Sequence, residues 1–237
     1  NVKIIGVDTA GSFADYIAVP AKNLWVNDKN LPLEIASLQE PFGNAVHTVL
    51  SGKGVTGKIV AVFGCGLIGI MAIGVARASG AETVIAIDIN DYRLQLAEVM
   101  NPTLTINSKI QDPYEVIMDF THGEGIDFMV EMSGSEQAIT TGLKLLRNGG
   151  EVALLGLPKK PIPMDLVNNV IFKGSTIYGI NGRKMFETWY QVRSLLQSHL
   201  VDLSKIITHR FTLDNFEQGM KLMEQGKCGK VVLEVSN

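Results

Sequence analysis

Lys58-Ile-Val-Ala-Val-Phe-Gly64-Cys-Gly66-Leu-Ile-Gly69-Ile-Met-Ala-Ile-Gly-Val-Ala-Arg77 is the stretch whose reading decides the fold of this chain. It opens with a short β-branched apolar run, the pattern of a strand buried on both faces. A glycine turn follows, and apolar residues then continue for about three helical turns to Gly80, a natural helix stop. Each glycine has a mechanical reason. Gly64 makes the tight turn out of the strand, Gly66 lets a pyrophosphate approach the backbone, and Gly69 lets the helix pack close to the strand. Leu67 and Ile68 stand at the start of the helix, where unpaired amides and the positive dipole end face a phosphate. The motif alone is weak evidence. Here a second strand, Thr83-Val-Ile-Ala-Ile-Asp88, follows, and its last residue puts a carboxylate where both ribose hydroxyls of an adenine nucleotide can be held. The bland alternative is a glycine bend and a loop-capping Asp.

Outward from this unit, strand and helix alternate. Helix is predicted for Asp91 to Met100 and for Asp112 to Phe120, with Asp112 as N-cap and Pro113 in the first turn. It is also predicted for Ser135 to Leu146, Met164 to Phe172 and Lys184 to Leu200. Strands are predicted at Leu104 to Asn107, Phe128 to Met132, Glu151 to Gly156 and Ser175 to Gly179. Six strands separated by helices imply an α/β fold, a Rossmann-type doubly wound six-stranded parallel sheet of order 3-2-1-4-5-6. The ends differ. Gly11 to Pro20 alternates like a half-buried strand, Asn23 to Asn27 reads as another, and the second half of Gln39 to Leu50 reads as helix. Ile206 to Asn237 reads strand, helix, turn, strand, and is expected to pair with the N-terminal strands in a second domain.

Composition narrows the classes. Of 237 residues 46% are hydrophobic and 19% charged, enough for a sizeable core. Net charge is −3 with no basic stripe, which argues against nucleic acid. No apolar run reaches the ~18 residues of a membrane span, and the first residues lack the layout of a signal peptide. Cys65 and Cys228 lie far apart and form neither a disulfide framework nor a zinc pattern, which fits a cytoplasmic location. None of His47, His122, His199 and His209 has metal-ligand spacing with another His or a Cys.

Glu40-Pro-Phe-Gly-Asn-Ala-Val-His47, the glycine turn, Asp88-Ile-Asn-Asp-Tyr-Arg93, Glu131-Met-Ser-Gly, Gly182-Arg-Lys-Met-Phe-Glu-Thr-Trp-Tyr190 and Ile207-Thr-His-Arg-Phe together resemble the L-threonine 3-dehydrogenases, zinc-dependent members of the medium-chain dehydrogenase superfamily. The resemblance runs over essentially the whole chain. It implies three pieces: 1–46 and 207–237 as remnants of a GroES-like, mainly-β catalytic domain, and 47–206 as an NAD-binding Rossmann domain. It implies NAD as cofactor, L-threonine as substrate and a homo-oligomer, dimer or tetramer. Zinc is expected in the full-length parent. The family's upstream zinc-binding part has no counterpart here, so the chain reads as a fragment or remainder of a longer protein.

The resemblance also implies roles. Glu40 would lie beside the catalytic zinc, as a transient ligand or a member of a proton relay; otherwise it is a surface carboxylate at a turn. Asp88 and Arg93 would contact the adenosine ribose, and the Asp favours NAD because a 2′-phosphate would meet like charge. Ile68, Leu155, Gly156, Leu157, Ile180 and Asn181 match cofactor-contact positions, at or just beyond the carboxyl ends of strands; core packing is the alternative for the aliphatic ones. His47 either lines the cleft or makes a structural hydrogen bond. Met185, Phe186 and Trp189 fit core or interface, and Cys65 serves as a small turn residue. Three functions compete: NAD-dependent oxidation of threonine, or of a polyol or alcohol by a related zinc enzyme; nucleotide binding without catalysis; and assembly through the sheet edge.

Overall fold

The computed structural model describes residues 3–235. Residues 1–2 and 236–237, the outer ends of the two expected catalytic pieces, lie outside the described residues. Two helices precede the sheet, α1 (Leu33–Ala36) and α2 (Gln39–Val49). The alternation then runs β1 (Ile59–Phe63), α3 (Leu67–Ala78), β2 (Thr83–Asp88), α4 (Asp91–Ala97), β3 (Leu104–Asn107), α5 (Pro113–Phe120), β4 (Ile126–Glu131), α6 (Glu136–Leu145), β5 (Leu146–Leu154), β6 (Thr176–Gly179) and α7 (Glu187–Gln197). The chain closes with β7 (Ile207–Thr212), α8 (Phe216–Glu224) and β8 (Lys230–Glu234).

The large sheet has the order β3-β2-β1-β4-β5-β6 with every pair parallel, the expected doubly wound arrangement. Its central strands are mostly apolar, with Asp88 and Glu131 closing β2 and β4, because helices cover both faces. Val60 and Val62 of β1 join Phe42, Ile70, Leu94 and Val192 in one core cluster. Ala61 and Phe63, on the opposite face, join Ile117, Ile139 and Leu143 in the other. Each large side chain so buried contributes about 1.5–3 kcal/mol. The order reverses between β2-β1 and β4-β5, which opens a crevice at the carboxyl ends of β1 and β4.

Two expectations at the ends are overturned. No strand forms among the described residues before β1, apart from an isolated bridge between Ile5 and Thr9. Phe13, Tyr16, Leu24 and Val26 are exposed there. Alternation says which side chains a strand would bury, but a strand also needs a neighbouring ladder. The terminal strands pair with each other, parallel around α8, and not with the N-terminal segment. This separate two-stranded sheet is the part expected to belong to a GroES-like domain. It meets the N-terminal segment through the Arg210–Glu34 ion pair and an edge-on contact of the Phe13 and Phe216 rings.

Smaller differences have local causes. Helix α2 starts at Gln39, not midway, because Pro41 falls in its first turn, where the missing N–H costs nothing. Strand β5 begins at Leu146, with an irregularity opposite Ile126–Phe128 that absorbs Asn148-Gly149-Gly150. The helix expected over Met164 to Phe172 is a single π turn, Val167–Ile171. Lys173 folds back from just beyond it, donating from Nζ to the carbonyls of Leu143, Lys144 and Leu146 at 3.1, 2.6 and 2.6 Å and so capping α6. At the start of α4, Asn90 accepts from the amides of Tyr92 and Arg93 through Oδ1, while its Nδ2 donates to the Gly226 carbonyl at 3.1 Å.

Candidate functional site

A cavity of about 330 Å³ opens at the crevice, lined among others by Gly64, Gly66, Asp88, Arg93, Ser133 and Ser135. The glycine turn forms its floor. Gly64 has a φ of +97°, a conformation that side chains resist. A Cβ on Gly69 would sit 1.8 Å from the Gly64 carbonyl oxygen, so the start of α3 rides directly on the turn. A Cβ on Gly66 would meet nothing within 4 Å; it would project into open space. Gly66 is also the N-cap of α3 and caps it with no side chain, which leaves the first-turn amides to a ligand. This cradle fits the pyrophosphate of a dinucleotide. Leu67 and Ile68 hold the first turn with their side chains packed against the core.

Asp88 ends β2 at 7% exposure. Its Oδ2 accepts from the Cys65 amide at 2.7 Å and its Oδ1 from the Asn90 amide at 2.9 Å. The Arg93 guanidinium stands 3.9 Å away. The carboxylate thus holds the glycine turn as well as facing the cavity. Cys65 is buried in that turn; burial, then the nearby Asp88 charge, pushes its thiol far up, so it is a protonated packing group.

The remaining predicted residues divide. Gly156 lies against Gly134: a Cβ there would come 2.2 Å from the Gly134 amide nitrogen and 2.6 Å from Glu131 Oε2. Leu155 packs against the core, Leu157 is 89% exposed, Ile180 is buried in the core, and Asn181 is exposed. Glu40 does not line the crevice. It sits in the first turn of α2, its side chain 55% exposed, paired with Arg183. Nδ1 of His47 donates to the Gly182 carbonyl at 2.8 Å, the structural role. Phe186 and Trp189 stack on Trp25, and Arg183 lies over the Trp189 ring. Among the described residues no three His, Cys, Asp or Glu side chains come together as a metal site, so the residues present do not fit zinc. No helix among them is long and apolar enough to cross a membrane.

Sequence reasoning gave no role to Glu131, the fully buried last residue of β4. Its carboxylate accepts from the Ser133 amide at 2.8 Å, the Gly134 amide at 2.9 Å and the Ser133 hydroxyl. Burial pushes this carboxyl up, and the hydrogen bonds from Ser133, Gly134 and Gly156 only partly oppose it. The available signal was an acid closing an otherwise apolar strand, just before Ser-Gly.

A family model described as zinc-binding dehydrogenase matches residues 68–198. The L-threonine 3-dehydrogenase of Bacillus velezensis is 54% identical over 233 residues, which is 98% of this chain and 67% of that protein. The enzyme of the same name from Pyrococcus horikoshii is 47% identical over the same shares. The chain spans about two thirds of the length of these curated relatives. Among solved structures, 2R,3R-butanediol dehydrogenase from Bacillus subtilis superposes with a TM-score of 0.89 at 27% identity, covering 98% of this chain and 67% of the other.

Proposed function

We infer the function from one premise: the chain belongs to the zinc-binding dehydrogenase family, in the group of the L-threonine 3-dehydrogenases. We propose that the protein it represents oxidises L-threonine to 2-amino-3-oxobutanoate, with NAD taking up the hydride from the carbinol carbon and the hydroxyl proton passing to solvent. The observation that carries the cofactor half is the uncapped N-terminus of α3 with open space at Gly66. In this reading the amides after Gly66 hold the pyrophosphate, Asp88 orients the adenosine ribose, and Arg93 flanks it. Leu67, Ile68, Gly156, Leu157 and Asn181 line the path toward the nicotinamide, and Ile180 supports it from the core. Glu40 is the residue of this chain assigned to a zinc-adjacent position, as transient ligand or member of the proton relay, its carboxylate paired with Arg183. The three-part division at 46/47 and 206/207, and a cytoplasmic location, belong to the same reading.

A homo-oligomer is also part of it. Strand β6 is one of the two edges of the sheet, and Leu166, Val167, Ile171 and Phe172, just before it, and Ile177 within it are exposed. Such an edge suits pairing with a second copy.

Nucleotide binding without catalysis is the second reading, favoured by the lack of a metal-holding group among the described residues. NADH fluorescence titration of the 237-residue chain, with threonine-dependent NADH production by the longer protein carrying zinc, separates the two. NADH binding without any threonine-dependent turnover in the longer protein would leave only the second; no NADH binding would remove both.

A further inference from the structure

Arg93 has room on two sides. It lines the nucleotide crevice together with Asp88. It also lines a second cavity of about 500 Å³ between the start of α4 and the turn before β8, where Asn90, Asp91, Glu224 and Gly226 are among the other walls. The approach of its guanidinium to Asp88, 3.9 Å, is too long for a hydrogen bond. Two carboxylates, Asp91 and Glu224, line the outer cavity, so charge alone does not fix which cavity the guanidinium faces. Packing adds the missing constraint. A Cβ on Gly226 would lie 3.6 Å from Nη2 and 3.8 Å from Nε of Arg93, so this turn of the C-terminal unit rests beside the guanidinium. Asn90 holds the turn there: its Nδ2 donates to the Gly226 carbonyl at 3.1 Å, while its Oδ1 accepts from the amides of Tyr92 and Arg93 itself. A Cβ on Gly226 would also come 2.8 Å from Asn90 Nδ2, closer than side chains pack, and φ there is +64°. Glycine is what lets the tether form beside the guanidinium.

We propose that Asn90 and Gly226 are positioning residues for Arg93: the tether between them keeps the Gly226 turn against the guanidinium and so keeps the guanidinium on the crevice side, facing an adenosine ribose held at Asp88. This rests on the dinucleotide reading of the site. Arg93 stands on α4 and Gly226 in the C-terminal unit, so one hydrogen bond between the two units shapes the adenosine pocket. Without it the turn withdraws and the guanidinium divides its time between the crevice and the outer cavity. Nucleotide affinity then falls by the fraction of time the guanidinium faces the crevice. A fraction of about a tenth to a third corresponds to a three- to tenfold loss.

A double-mutant cycle separates positioning from a role in stability alone. Asn90→Ser keeps an N-cap hydroxyl for α4 but is too short to reach the Gly226 carbonyl. Wild type, Asn90→Ser, Arg93→Ala and the double variant are titrated with NADH and with AMP, which carries only the adenosine side, and each is melted. Arg93→Ala is expected to weaken both ligands about tenfold. Asn90→Ser is expected to weaken both roughly three- to tenfold in the wild-type background, and by less than about twofold in the Arg93→Ala background. Equal weakening by Asn90→Ser in both backgrounds overturns the proposal, because Asn90 then acts on the fold or the ligand without Arg93. A folded Asn90→Ser that binds NADH and AMP like wild type also overturns it, as does an Arg93→Ala that binds them like wild type. If Asn90→Ser does not melt cooperatively, Gly226→Ala, whose Cβ displaces the Asn90 amide, decides by the same cycle, and additivity there overturns the proposal. Wild type binding neither NADH nor AMP would defeat the dinucleotide reading and the proposal with it, a result distinct from wild type binding both and Asn90→Ser binding equally well.

Discussion

Replacing Asp88 with Ala should damage the fold and the nucleotide preference together, and the two effects can be measured apart. The carboxylate accepts from two main-chain amides, Cys65 and Asn90. Ala leaves both donors unpaired, at about 1–3 kcal/mol for each such buried group. Solvent reaches the Asn90 side more easily than the buried Cys65 amide, so a loss of about 2–4 kcal/mol is expected. For a chain of this length that is a drop of roughly 5–15 °C in Tm. NADH should weaken by roughly ten- to a hundredfold, the worth of a charged acceptor on the ribose diol. NADPH should weaken less or gain, because a 2′-phosphate no longer meets the carboxylate and Arg93, released from its 3.9 Å approach to Asp88, is free to face it. Asp88→Asn keeps one acceptor and should lose about half as much stability. Calorimetry gives the first effect and paired NADH and NADPH fluorescence titrations the second. A Tm within a degree or two of wild type would refute the claim that Asp88 holds the glycine turn. An unchanged NADH-to-NADPH ratio would refute its role in discrimination.

Lys173→Met keeps the apolar stem but strips α6 of its ammonium cap; a loss of about 1–3 kcal/mol is expected, and an unchanged Tm would show that water replaces the cap freely. For Glu151, burial pushes the carboxyl up, but the Lys58 ammonium, the Tyr178 hydroxyl and the Lys53 amide outweigh it and hold the group below its ordinary 4.5. Its stabilisation is therefore full above 4.5 and lost as pH falls through the lowered folded value; the Tm gap between wild type and Glu151→Gln should be widest near neutral pH and close in acid, and a gap independent of pH would contradict the assignment. In a protein of the relatives' full length supplied with zinc, Glu40→Ala should lower kcat by two or more powers of ten with NADH affinity unchanged. Its half-exposed pair with Arg183 contributes little to stability, so retained kcat with a depressed Tm would leave Glu40 a structural residue.

The sheet was legible because a strand covered on both faces must be apolar along its length, and because a glycine turn between such a strand and a helix has few other uses. Strand order followed from right-handed crossovers. The N-terminal segment misled for the complementary reason: Gly11 to Pro20 carries the alternation of a strand, yet pairing depends on residues elsewhere. Pro41 and the glycines after Asn148 misled at shorter range, since the same residues that stop elements in isolation fit a first helical turn or a strand irregularity. In the site, the place of Asp88 could be counted from the glycine motif, but not that two amides already engage it. Glu131 was out of reach because its donors lie two and three residues ahead, in a turn whose path no periodicity encodes.

Asn90 ties the cofactor corner to the far end of the chain. One side-chain oxygen serves the start of α4, beside Arg93, and the amide nitrogen of the same group reaches the Gly226 carbonyl in the turn before β8. An adenosine held at Asp88 and Arg93 would therefore stand next to the residue that anchors the C-terminal unit. By reciprocity, whatever free energy a bound adenosine lends to this corner must reappear as resistance of the Gly226 turn to local opening, and detaching residues 207–235 must weaken adenosine by the same factor. On the proposed reading, residues 207–235 would thus be thermodynamically coupled to the nucleotide site, although none of them belongs to its sheet.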